Sequence, residues 1–141
     1  MHPTLRALIV DPCPDTVAST AWLVRWWGHQ AHVAGNARDA LARARQVRPD
    51  VVLTEIALPG TDGCALARRL RQPDVAPDAL LVALTGYATD LYCERCREAG
   101  FDYVFVKPGD PGLLEMLLAD HGRRCASTAG PAAGRCAALV C

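Results

Sequence analysis

Asp50-Val51-Val52-Leu53-Thr54-Glu55-Ile56-Ala57-Leu58-Pro59-Gly60-Thr61-Asp62-Gly63 is the stretch on which the fold turns. Asp50 to Thr54 reads as a central strand, because a short apolar, β-branched run bounded by turn formers suits a strand covered on both faces. From Glu55 to Gly63 the chain becomes a loop dense in turn-forming residues. A helix follows from about Cys64 to Arg71 and carries Arg68, Arg69 and Arg71.

Toward the N-terminus, Arg48-Pro49 breaks an alanine-rich helix that runs to about Val47 from an N-cap at Asn36, and Ala31 to Ala34 forms a short strand before it. Val17, Thr20 or Ala21, Val24 and Trp27 recur at three- and four-residue steps, so an earlier helix, capped by Asp15, presents one apolar stripe and stops at Gly28. Leu5 to Val10 is the first strand and ends at Asp11-Pro12, where proline cannot extend a buried ladder. Toward the C-terminus, Gln72 to Asp78 is linker, Ala79 to Leu84 a fourth strand ending at Thr85-Gly86, and a helix then runs through Ala99 to Gly100. Tyr103 to Val106 is a fifth strand ending at Lys107-Pro108, and a last helix covers roughly Pro111 to His121. Strands that alternate with helices in this way imply an α/β domain with a parallel sheet between two helical layers.

At 141 residues the chain suits one domain with a real core. Residues 1–121 are expected to form it, and 122–141, rich in Ala, Gly, Ser and Cys, a mobile tail. Fifteen basic and fifteen acidic residues balance, so no broad positive field exists to gather nucleic acid or an anionic membrane. The apolar run before Asp11 is too short for a signal peptide, and no stretch approaches a membrane span, so a cytoplasmic protein is expected. Seven cysteines, an odd number scattered along the chain, do not resemble a secreted disulfide framework; in a reducing compartment most should be free thiols.

Ligands of open parallel sheets bind beyond the carboxyl ends of the strands. Here those ends carry Asp11, Glu55, Thr85 and Lys107: two carboxylates, a hydroxyl and an ammonium, a set suited to a metal or phosphoryl group.

Through Leu8-Ile9-Val10-Asp11, Pro49-Asp50-Val51-Val52-Leu53, Leu58-Pro59-Gly60-Thr61-Asp62-Gly63, Ala83-Leu84-Thr85-Gly86 and Val106-Lys107-Pro108, in order along the domain, the sequence resembles the receiver domains of bacterial two-component response regulators. The resemblance implies a doubly wound, flavodoxin-like sheet of five parallel strands in the order 2-1-3-4-5, with the site at its carboxyl edge. In that family an aspartate ending the third strand accepts a phosphoryl group from a histidine kinase, and two adjacent acids after the first strand help hold Mg²⁺. This sequence departs at both places: the phosphoacceptor position is Glu55, and of the acid pair only Asp11 remains, beside Pro12. Thr85, which in the family binds a phosphoryl oxygen, and Lys107, which pairs with the phosphoacceptor, are retained. An extra methylene displaces the Glu55 carboxylate by over ~1 Å, a misplacement that can cost about a hundredfold in rate. With Asp11 the single remaining acid ligand of the pair, Mg²⁺ binding is expected to be weak or lost. The longer arm reaches either Lys107, making a built-in ion pair and a locked pocket, or Thr85, where it would imitate a phosphorylated aspartate. Many receivers carry an aromatic three residues before the fifth-strand lysine; this chain has Val104, with Tyr103 on the opposite pleat.

Trp22 and Trp26 share a helical face offset from the apolar stripe, which suits a candidate protein-binding surface or homodimer seam; the alternative is that they tuck against the last helix or the tail. Cys93 and Cys96 form a CxxC within a helix, without the second pair a zinc ribbon needs. Cys13 lies beside the acid pocket as a reactive thiol or an inert small residue. The sequence thus points to a stand-alone, atypical receiver without catalytic turnover, acting through protein contacts with a histidine kinase, another signalling protein or a second copy. It is expected to bind neither nucleic acid nor membrane. A phosphorelay receiver that still accepts phosphate, and a thiol- or metal-responsive protein on the same fold, are the competing readings.

Overall fold

A computed structural model describes residues 3–86, 89–107, 110–126 and 138–140. In chain order these form β1 (Arg6–Val10), α1 (Pro14–Trp26), β2 (Gln30–Ala34), α2 (Ala37–Val47), β3 (Val51–Glu55), β4 (Ala57–Leu58), β5 (Thr61–Asp62), α3 (Gly63–Leu70), β6 (Leu80–Thr85), α4 (Asp90–Ala99), β7 (Tyr103–Val106), α5 (Pro111–Ala126) and β8 (Ala138–Val140). The main sheet has the order β2-β1-β3-β6-β7-β8, and every neighbouring pair in it is parallel. Its first five strands follow the expected doubly wound order, with β3 at the centre, between β1 and β6.

Alternation along the strands divides the core in two. Leu8, Val10, Val52, Leu81, Ala83 and Val104 pack with α2, α3 and α4 on one face. Ala7, Ile9, Val51, Leu53, Val82 and Phe105 pack with α1 and α5 on the other. Because side chains of a strand point alternately to opposite faces, continuous apolar strands are what such a three-layer sandwich requires. The stripe of α1 meets the sheet as expected, with Ala21 and Val24 buried and Val17 and Trp27 packed beside them.

Local chemistry explains most element ends. Asn36 caps α2, its side-chain oxygen accepting from Asp39 N at 2.8 Å, and Gly100 closes α4 in the left-handed region. Asp15 does not cap α1: the N-cap is Cys13, which makes no side-chain cap bond, and Asp15 sits in the first turn, where its charge still favours the helix dipole. Pro14, with no N–H to satisfy, takes the first helical position and shifts the start one residue earlier.

The loop after β3 contains a small antiparallel pair, β4 with β5, and Asp62 then caps α3 by accepting from Ala65 N at 2.7 Å. The last helix runs on to Ala126, so the expected domain edge at residue 121 falls inside it. Gly122 does not end the helix. It is buried, and a Cβ there would stand 3.1 Å from the Pro3 carbonyl, so the missing side chain lets α5 pass the start of the chain. Three residues of the expected mobile tail form β8 and extend the sheet beyond β7; 127–137 and Cys141 lie outside the described residues.

Candidate functional site

Parallel pairing brings the carboxyl ends of the strands to one edge. Val10 is level with Thr54, Glu55 with Leu84, and Thr85 with Val106, so the residues at or just past these ends face one another. Asp11 is held as the chain leaves β1, its N–H donating to Ala34 O at 3.1 Å, and Lys107 N donates to Thr85 O at 2.6 Å.

The side chains converge on Lys107. Its ammonium Nζ donates to Asp11 Oδ2 at 2.6 Å and lies 2.8 Å from Glu55 Oε2. The second oxygen of each carboxylate is also engaged: Asp11 Oδ1 accepts from Cys13 N at 2.9 Å, and Glu55 Oε1 accepts from Ala57 N at 3.2 Å. The two acid side chains are 7% and 13% exposed, against 31% for the lysine, so the cation reaches in from the rim to a more buried acid pair. Burial alone would lower the Lys107 pKa, but its hydrogen bonds and attraction to Asp11 and Glu55 outweigh that and raise it above the ordinary lysine value. Of the two reaches expected for Glu55, the one to Lys107 is the one this geometry takes.

Thr85 is buried at the end of β6. Burial raises the pKa of the half-buried Tyr92 phenol on α4, which has Thr85 as a side-chain hydrogen-bond partner. Val104 and Tyr103 do occupy opposite faces of the sheet. Pro12 is exposed beside the cluster and has no side-chain oxygen, and Pro108 of the lysine motif lies outside the described residues. Gly63 holds the other side of the site: its N–H donates to Ile56 O at 2.6 Å, and a Cβ would stand 2.9 Å from Glu55 O. Only a residue without a side chain lets α3 start this close to the end of β3.

Trp22 and Trp26 are 60% and 73% exposed, with ring centroids 5.5 Å apart and planes 9° from parallel; they stack on each other in solvent. The exposed Cys13 thiol is lowered below the ordinary range, first by its hydrogen bond with the Thr16 side chain. Among the described cysteines most are free thiols, as expected: Cys13, Cys64, Cys96 and Cys125 are free, and Cys93 is in a disulfide. Among the described residues no group of three or more His, Cys, Asp or Glu side chains is placed to hold a metal ion. No helix among them is long and apolar enough to cross a membrane.

Two clusters escaped the sequence reading. Arg71, read as part of a basic helix end, donates to Asp102 Oδ2 at 2.8 Å and to the carbonyls of Gly100, Pro77 and Ala79, tying the loop after α3 to the turn before β7. Cys64 meets Cys96 across the α3–α4 boundary at 4.0 Å. Their sequence separations of 31 and 32 leave no local signal for either.

A doubly wound parallel sheet with two acids, a lysine and a threonine at its carboxyl edge defines a receiver-type signalling domain. The response regulator receiver domain family matches residues 7–119, and the chain belongs to that family. It is 35% identical over 112 residues to the response regulator receiver protein Anae109_2439 of Anaeromyxobacter sp. (strain Fw109-5), covering 79% of this chain and 46% of that relative. It is 31% identical over 114 residues to an uncharacterized 14.6 kDa protein of Leptolyngbya boryana, covering 81% and 87%. The chain thus spans less than half the length of the first of these relatives. Among solved structures, a two-component response regulator from Clostridium difficile shares the fold, with a TM-score of 0.80 at 23% identity over 86% of this chain and 98% of the other. A CheY-like receiver domain protein from Methanospirillum hungatei JF-1 superposes with a TM-score of 0.77 at 26% identity, covering 86% and 96%. Residues 7–119 are thus a receiver domain of the two-component signal-transduction type, and receiver domains in general interact with histidine kinases and other signalling proteins.

Proposed function

We propose that this receiver transmits its signal through protein contacts independently of phosphorylation, with its pocket held in one state by Lys107. The observation that carries this reading is the ammonium shared between Asp11 and Glu55 at 2.6 and 2.8 Å. A receiver pocket must neutralise clustered negative charge, and here the chain's own lysine does so. Mg²⁺ demands near-ideal octahedral oxygen donors. The residues present fit it poorly: Asp11 and Glu55 are both committed to Lys107 and to backbone N–H groups, and Pro12 adds no side-chain oxygen. Phosphoryl transfer depends on in-line positioning and on neutralising the charge that develops. Glu55 turned onto Lys107 is positioned for an ion pair, and this favours a locked pocket over imitation of a phosphorylated aspartate at Thr85.

The contact surface assigned to this function is the exposed Trp22–Trp26 pair, since aromatic side chains are enriched where proteins meet.

The reading is tested by incubating the protein with Mg²⁺ and acetyl phosphate and measuring its intact mass. The expected result is no acid-labile adduct on the natural chain, and adduct formation with Mg²⁺ binding in the double variant Glu55→Asp with Pro12→Asp. A stoichiometric adduct on the natural chain overturns the proposal.

A further inference from the structure

Outside the acid pocket, two buried thiols meet where α3 packs on α4. Cys64 lies in the first turn of α3 and Cys96 in the last turn of α4, with sulfur atoms 4.0 Å apart. They are 5% and 0% exposed, inside the core layer shared by α2, α3 and α4. Only the packing of α3 on α4 brings them together.

We propose that Cys64 and Cys96 form a gated redox dithiol whose disulfide staples α3 to α4, the oxidant being a low-molecular-weight disulfide. One protein thiolate attacks a sulfur of the reagent and expels the first reagent thiolate, leaving a mixed disulfide. The second protein thiolate then attacks the protein-side sulfur of that bond and expels the second. Two protein thiols become one disulfide, the protein giving up two electrons and two protons, and the reagent becomes two thiols.

Geometry favours closure. A disulfide needs its sulfurs about 2.05 Å apart, so about 2 Å remains to be closed, shared between two side chains whose positions the helices already set. The product is neutral and apolar, so the burial that disfavours a thiolate does not disfavour the disulfide. Burial also sets the gate. It pushes the Cys96 thiol up to about 12 and raises Cys64, so thiolate is scarce while the helices are packed and exchange waits on their separation. Cys13, exposed and lowered, is the thiol that reacts first.

The staple would act on the signalling site. Tyr92 lies one turn before Cys96 on α4, and its phenol has Thr85 of the pocket as a side-chain hydrogen-bond partner. Fixing α4 to α3 therefore restrains the helix that carries this contact to Thr85. Cys93, also buried on α4, is already in a disulfide, so the new bond would hold this helix at a second point. A merely space-filling role for the two sulfurs predicts no linkage at all.

The test treats the whole chain with oxidised glutathione, alkylates the remaining thiols under denaturing conditions and digests without reduction. Expected are a Cys64–Cys96-linked peptide that forms faster in sub-denaturing urea, and a thermal unfolding midpoint raised by on the order of 10 °C. Both should reverse on adding a dithiol and be missing from Cys64→Ala and from Cys96→Ala. Recovery of Cys64 and Cys96 as alkylated thiols while Cys13 carries glutathione overturns the proposal, as does linkage of either residue to a different cysteine.

Discussion

Lys107 decides the character of the site at the scale of single residues. Two carboxylates that are nearly buried share its one ammonium, so its removal leaves like charges facing each other without compensation. Breaking a buried pair by deleting one partner costs several kcal/mol; with the lysine partly exposed, Lys107→Ala should cost about 1–3 kcal/mol in urea unfolding. The same variant frees both acids, so added Mg²⁺ should stabilise it more than it stabilises the natural chain, as a thermal melt with and without the ion will show. The raised pKa of Lys107 fixes the sign of a pH effect. Its folded value lies above the ordinary lysine value of 10.5, so its contribution is fully present below that pH and is lost as the pH climbs through the folded value. Tyr92, also raised, loses stability on the same alkaline side. Alkaline unfolding of the natural chain compared with Lys107→Ala therefore isolates the lysine: the stability gap between them should narrow above pH 10.5.

Among the elements, the start of α3 positions the acid that makes this pocket unusual. A Cβ on Gly63 would lie 2.8 Å from Ile56 Cα and 2.9 Å from Glu55 O, both backbone atoms that cannot swing aside. Gly63→Ala should therefore destabilise by about 1–3 kcal/mol and displace Glu55 from Lys107, measured as a lowered unfolding midpoint and a smaller penalty for Lys107→Ala in the same background. What the sequence reveals and conceals divides along similar lines. Strands announce themselves by unbroken apolar runs, Asn36 and Gly100 announce the ends of their helices, and strand-end chemistry marks Asp11, Glu55, Thr85 and Lys107 before any coordinates. Each of those signals is local. Arg71 with Asp102, and Cys64 with Cys96, join positions 31 and 32 apart by packing alone, and no periodicity carries that information. The end of α5 misleads for a related reason: the helix expected to stop near His121 runs on to Ala126, and Gly122 within it has no side chain to meet the passing N-terminal segment. Glu55 lies between the two cases. Its place at the strand end is readable, but the choice of Lys107 over Thr85 is settled only by where the lysine reaches.

The whole molecule presents a stacked tryptophan pair to solvent while carrying no net formal charge, with a sequence pI near 6.9. Charge of one sign keeps copies of a protein apart, and this chain has no such repulsion at neutral pH. Apolar surface of this kind is covered when a second surface of similar chemistry comes near, and a second copy always offers one. Self-association should accordingly be strongest near pH 7 and weaken toward pH 5 and pH 9, where like charges accumulate on both copies. Sedimentation velocity over a concentration series at the three pH values measures this directly. Trp22→Ser with Trp26→Ser should abolish the concentration dependence at pH 7. The cost in folding stability should be at most about 1 kcal/mol, because the rings are exposed and lose chiefly their contact with each other. A natural chain that stays monomeric at every concentration would assign the pair to a different protein. A double variant that melts far below the natural chain would assign it to the fold.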